Sequence, residues 1–205
     1  MHIAEGVLSG PVLITGVSLA AAGTAVGLKC LDPERIAQAG LLSSAFFVAS
    51  LIHVPIGPSN IHLVLNGIVG LLLGWVAVPA LLVALLLQAV LFQFGGLTTL
   101  GVNTVIMAAP AVGVHYLFRS LIWRKPIWSL AAAFACGFTA VLSSSLIAAL
   151  ALMFSAEGFW RVAAVLMGAH FPVMIIEGVI TAFCVAFLKK VHPVMLPAGR
   201  GRETR

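Results

Sequence analysis

Seven apolar stretches, each closed by charges, prolines or glycine-rich turns, fill almost the whole chain. They run over Val7–Leu28, Ile36–Val54, Ile61–Val78, Ala80–Phe94, Val102–Phe118, Ile127–Phe154 and Phe159–Leu188. Only 8% of the 205 residues are charged, against roughly 25% in a soluble domain. No soluble fold of this size buries so much apolar surface. The expectation is an all-α integral membrane protein, a bundle of about seven transmembrane helices. Residues 1–190 form one membrane domain and 191–205 a basic tail. Two stretches need adjustment. Only Pro79 separates the third from the short fourth, so a tight turn is required there. The last would reach roughly 45 Å as a helix, against a hydrocarbon core of about 30 Å. His170 and Pro172 lie inside it, so a surface segment is expected up to His170, with a crossing helix from Pro172.

The positive charges orient the bundle. With the N-terminus outside, Lys29, Arg35, Arg119, Arg124, Lys125, Lys189, Lys190, Arg200, Arg202 and Arg205 are cytoplasmic, and only Arg161 is not. The positive-inside rule therefore predicts an outer N-terminus and a cytoplasmic C-terminus. The net charge of +5 thus reads as membrane orientation in a lipid bilayer, not as a nucleic-acid surface. A signal peptide is the rival reading of the first stretch, but it lacks a basic leader and Glu5 stands where positive charge would be, so a retained helix is expected. Its small residues Ser18, Ala21, Ala22, Gly23 and Ala25 suit close helix packing. Cys30, Cys136 and Cys184 show no CxxC spacing, and no disulfide is expected.

This orientation collects donor groups on the outer side. A free N-terminus followed by His2 offers three nitrogens to one metal ion: the amine of Met1, the amide of His2 and its ring Nδ1. Three nitrogens chelating in this way tend toward a plane, and planar nitrogen sites suit Ni(II) or Cu(II). One more neutral imidazole completes the square. His53 and His62 flank the stiff loop Pro55-Ile56-Gly57-Pro58-Ser59-Asn60 on the same side; His62 is the first choice and His53 the alternative. The next outer loop, Gly95-Gly96-Leu97-Thr98-Thr99-Leu100-Gly101 with Asn103, offers close backbone approach and hydrogen bonds. His170 and Glu177 are seven residues apart and share a face if their helix is unbroken. Glu177 could hydrogen-bond a ligand, neutralise a cation, or pin two helices while protonated. His115 and His192 look interfacial, while Gln88 and Gln93 suit interhelical hydrogen bonds.

Ser143-Ser144-Ser145 has no histidine in its own segment, and no GxSxG, HExxH or phosphate-loop motif occurs. The chain is therefore expected neither to bind ATP nor to act as an enzyme. A lone carrier would need intramembrane carboxylates, and only Glu177 is available.

Several motifs together resemble the nickel/cobalt substrate-binding membrane subunits of energy-coupling factor transporters, the CbiM/NikM type. They are Met1-His2-Ile3 with Glu5-Gly6, Gly57-Pro58-Ser59-Asn60-Ile61-His62-Leu63, Gly95 to Asn103, and Glu177-Gly178. The resemblance covers nearly the whole chain. It implies an N-terminus folded into the bundle from outside, with Met1, His2 and a later histidine matching His62 as ligands of transported Ni2+ or Co2+. Glu5, Ser59, Asn60, Thr98, Thr99, Asn103, His170 and Glu177 would surround the site or line the path. The family implies a transmembrane coupling subunit, two cytoplasmic ATPases and, in some members, a small accessory membrane subunit. The location would be a bacterial or archaeal cytoplasmic membrane. Two rival readings remain at this point: an ion-coupled carrier or channel with Glu177 and His170 as relay, and an intramembrane metalloenzyme using His53, His62 and His170.

Overall fold

The structure, a computed structural model, describes residues 3–56, 59–155 and 159–197, with the backbone alone for 53–56, 59–62, 159–163 and 166. Met1, His2 and the tail from 198 onward lie outside the described residues. The helices are α1 Gly10–Lys29, α2 Ile36–Ala49, α3 Asn66–Leu73, α4 Ala77–Phe92, α5 Leu100–Phe118, α6 Pro126–Met153 and α7 Phe159–Val191. A two-stranded antiparallel hairpin, β1 His53–Ile56 and β2 Ser59–His62, stands between α2 and α3. Five helical runs among the described residues are long and apolar enough to cross a membrane: Gly10–Lys29, Asn66–Phe92, Leu100–Phe118, Pro126–Met153 and Met167–Val191. The chain is a multi-pass membrane protein. Its helix ends follow local chemistry. Proline opens α1 and α6 within the first turn, where its missing N–H costs nothing. Lys189 and Lys190 close α7, where cations complement the helix dipole.

The run Asn66–Phe92 is not one crossing, because it reverses at Gly74. On the first leg, α3 follows α5: Asn66 donates to the carbonyl of Met107, Gly70 abuts Ala111, and Gly74 lies against His115. Gly74 then adopts φ +60 and ψ −127, a conformation open in practice only to glycine. The returning α4 follows α1 instead. A Cβ on Gly27 would lie 2.5 Å from the Pro79 ring, and one on Gly23 would lie 3.2 Å from Val78. At the far end Gly95 meets Glu5. The expected tight turn therefore exists, a few residues before Pro79.

Three expectations need correction. The third stretch does not begin as a helix at Ile61. Residues 59–62 pair with β1 and only eight residues, Asn66–Leu73, are α-helical on the first leg. Non-helical backbone inside a membrane survives only where protein satisfies it. The expected loop 55–60 is largely ladder. Pro55 is tolerated because a two-stranded ribbon leaves N–H positions free of ladder duty. Finally, α7 does not start at Pro172. It is a continuous helix of 33 residues with that proline inside, so His170 and Glu177 do share a face, and both are buried. Gln88 makes its interhelical bond, to the Ser50 hydroxyl, whereas Gln93 is an exposed left-handed cap of α4.

Glycines set the closest helix approach. A Cβ on Gly137 of α6 would sit 2.5 Å from the Glu177 carbonyl of α7, and one on Gly67 of α3 would sit 2.7 Å from the Gly137 Cα. The start of α3 and the middles of α6 and α7 are thus in backbone contact around Glu177. Above this junction one apolar cluster joins Ile3, Phe46, Val64, Ile106, Met107, Val141 and Met174.

Candidate metal centre

The first described residue is already bound into the bundle. Ile3 is buried, and its N–H donates to the Asn103 Oδ1 at 3.0 Å. The Asn103 Nδ2 donates back to the Ile3 carbonyl at 3.1 Å. One side-chain amide thus serves as a ladder partner for the residue following His2. Asn103 lies in the first turn of α5, where its own N–H reaches the Thr99 carbonyl at 2.9 Å and its Nδ2 also reaches the Thr99 hydroxyl at 3.2 Å. The Thr99 hydroxyl in turn donates to the Gly96 carbonyl at 3.3 Å. Helix start, loop and N-terminus therefore form one hydrogen-bonded unit.

Glu5 fastens the segment a second time. Its N–H donates to the Gly95 carbonyl at 3.2 Å. Its Oε1 accepts from the Thr98 N–H at 3.1 Å and the Thr98 hydroxyl at 3.2 Å. These bonds to the ionised carboxylate, the backbone one first, hold it below the ordinary glutamate range. Gly96 must be glycine: its φ is +142, and a Cβ there would run into the Glu5 side chain.

The hairpin brings the two candidate histidines into register. His53 and His62 are Cα partners, followed by Val54 with Ile61, Pro55 with Asn60 and Ile56 with Ser59. β2 packs against α7. Where the chain leaves β2, the Glu177 Oε1 accepts the N–H groups of Val64 and of Leu65, the latter at 2.8 Å. Leu65 takes a left-handed conformation, φ +52, just before α3. Glu177 is wholly buried, and its Oε2 has no hydrogen-bond partner among the described residues.

Asn66 is a functional candidate that sequence reasoning passed over. It is buried, and its Nδ2 donates to the Met107 carbonyl at 3.3 Å and the Ser144 hydroxyl at 2.8 Å. A lone amide opening the apolar run 66–73 was the available signal. His115, in the last turn of α5, is half-buried, with Nδ1 2.8 Å from the Leu71 carbonyl.

The structure thus brings Glu5, Thr98, Thr99 and Asn103 together around the N-terminal segment, sets His53 opposite His62, and joins Glu177 to the chain just after His62. His170 lies two helical turns from Glu177 on the same buried face. Ile3 and Val64 are both members of one extended apolar cluster. Among the described residues no three His, Cys, Asp or Glu side chains lie close enough to hold a metal. Met1 and His2 lie outside that set, as do the side chains of His53, His62, Ser59 and Asn60.

The chain is 42% identical over 199 residues to a protein of Haemophilus influenzae described as a putative metal transport protein, covering 96% of this chain and 97% of that one. It is 32% identical over 212 residues to the cobalt transport protein CbiM of Sorangium cellulosum, covering 96% and 94%. A crystal structure of a truncated transition metal transporter superposes with a TM-score of 0.75 at 27% identity, covering 94% of this chain and all of that one. Residues 2–195 match the family described as CbiM, cobalt uptake substrate-specific transmembrane region. The chain belongs to the CbiM family and is a component of a metal uptake transporter.

Proposed function

We propose that this chain captures Ni2+ or Co2+ at the outer membrane face, at the Met1 amine, the backbone and ring of His2, and His62. It would then deliver the ion inward as the substrate-binding subunit of an ATP-driven energy-coupling factor transporter. A transmembrane coupling subunit and two cytoplasmic ATPases would supply the energy, with a small accessory membrane subunit in some assemblies. Residues 1–190 act as one metal-binding domain in a bacterial or archaeal cytoplasmic membrane.

The observation that carries this reading is the two-way bond between Asn103 and Ile3. It directs the residue after His2 into the interior, where the apolar cluster also takes up Val64, two residues after His62. A tethered terminus loses less freedom on metal binding, so part of the ordering cost is met by the fold. His53, the register partner of His62, remains the alternative fourth ligand. A relative in Archaeoglobus fulgidus, 29% identical over 201 residues, is described as a putative fused nickel transport protein NikMN. Both metals are therefore represented among similar proteins.

The deciding experiment is equilibrium metal binding by the purified chain. Stoichiometric Ni2+ binding should vanish in His2→Ala and when residues are added before Met1. Unchanged binding by the extended chain would refute the N-terminal chelate.

A further inference from the structure

We propose that Glu177 is the positioning residue for His62, the carboxylate that fixes where β2 leaves the hairpin and descends along α7. This deepens the reading of His62 as a ligand and rests on it. Oε1 holds two successive backbone amides, those of Val64 and Leu65. The first lies two residues after His62, a chain distance of at most about 7 Å. The position of Val64 therefore limits where His62 can lie. The next residue is fixed as well, since the Asn66 amide is tied to Met107 and Ser144. Leu65 keeps a left-handed backbone between these two anchors, a conformation that a leucine adopts only when its surroundings impose it.

The site needs this device because the backbone here is neither helix nor ladder. Strand pairing ends at His62 and α3 begins at Asn66. Val64 is buried and Leu65 partly so, and a single carboxylate oxygen accepts the N–H groups of both. Glu177 is itself fixed, because its own carbonyl lies against Gly137, which leaves no room for a side chain between α6 and α7. The fastening of His62 thus runs from the α6–α7 contact through Glu177 to the hairpin exit. Only an acceptor is required of Oε1, so an amide oxygen at the same reach should serve.

The test is nickel affinity and the visible absorption of the Ni(II) complex, measured on the purified full chain. Glu177→Gln should bind within about threefold of the parent, with the same absorption. Glu177→Leu should bind roughly 10- to 100-fold more weakly, the range for removing an outer partner of a metal ligand, with a shifted absorption band. Added to His62→Ala, Glu177→Leu should cost nothing further, because the ligand it positions is gone. If the leucine variant aggregates, Glu177→Asp, one methylene shorter, should give an intermediate loss that again disappears beside His62→Ala. Two results overturn the proposal alone: Glu177→Gln losing as much as Glu177→Leu, or losses that add fully to His62→Ala. Parent-like affinity in His62→Ala itself overturns the ligand assignment and the proposal with it.

Discussion

Asn103 and Ile3, 100 residues apart in sequence, exchange two hydrogen bonds as though they were neighbours in a β-ladder. Both groups are buried, so neither amide can be replaced by solvent without loss. Asn103→Ala leaves the Ile3 N–H and carbonyl unpaired, at a cost of about 1–3 kcal/mol each if they stay buried. The N-terminal segment should come free instead of accepting that cost. Nickel affinity should then fall roughly 10- to 100-fold, with global melting changed far less. A competition titration beside a thermal scan separates the two effects. Asn103→Asp should also weaken binding, since it keeps an acceptor for Ile3 but loses the donor to its carbonyl.

Metal capture should release protons, because an ordinary amine titrates near 7.7–8.0 and amide coordination needs deprotonation. Affinity should therefore rise with pH and decline steadily below about pH 7. Glu5 does not share in that decline. Its carboxylate is held below the ordinary range by Thr98, so its fastening is fully present above that range. It is lost only as pH falls through the lowered value. Glu5→Gln should accordingly leave the shape of the pH profile between 5 and 7 unchanged. A steepened or flattened profile in isothermal titration across that window would contradict this.

Gly74 and Gly137 should tolerate no side chain, for different reasons. At Gly74 the penalty is conformational: with φ +60 and ψ −127, alanine should cost ~1–3 kcal/mol. At Gly137 it is steric, since a Cβ would lie 2.5 Å from the Thr181 hydroxyl and the Glu177 carbonyl. Overpacking of this kind costs about 1–3 kcal/mol. Thermal unfolding in detergent should show both variants destabilised, while Gly113→Ala, which meets no neighbour within 4 Å, should be neutral.

Cells making this chain alone should bind nickel or cobalt without accumulating it. Adding the coupling and ATPase subunits should produce uptake that stops when the ATPases are inactivated. Sustained accumulation by the chain alone, measured with radiolabelled nickel, would favour an ion-driven carrier.

What the sequence revealed and what it concealed divide along physical lines. Long apolar stretches announce themselves, and five runs proved long and apolar enough to cross. The loop from Gly95 to Asn103 was legible as a hydrogen-bonding surface because its glycines and hydroxyls have few other uses. The hairpin was concealed because Pro55, Gly57 and Pro58 read as breakers, although His53–Ile56 and Ser59–His62 pair on either side. The continuity of α7 through Pro172 was concealed because intrinsic propensity carries no knowledge of the packing that overrides it. Glu177 was marked by its charge, but its partners are backbone amides, which carry no identity in a sequence.

The reversal at Gly74 also constrains how the protein is made. Residues 66–92 emerge during synthesis as a single run of 27 residues, hydrophobic enough to enter the bilayer as one straight helix. The returning leg rests on α1, encoded earlier, but among the groups that hold α3 and its entry, Met107, Ala111, Gly137 and Glu177 are encoded later. The first leg, α3, can complete these contacts only after α5, α6 and α7 are in place. The path of α3 therefore depends on a helix, α7, that follows it by more than eighty residues in the chain.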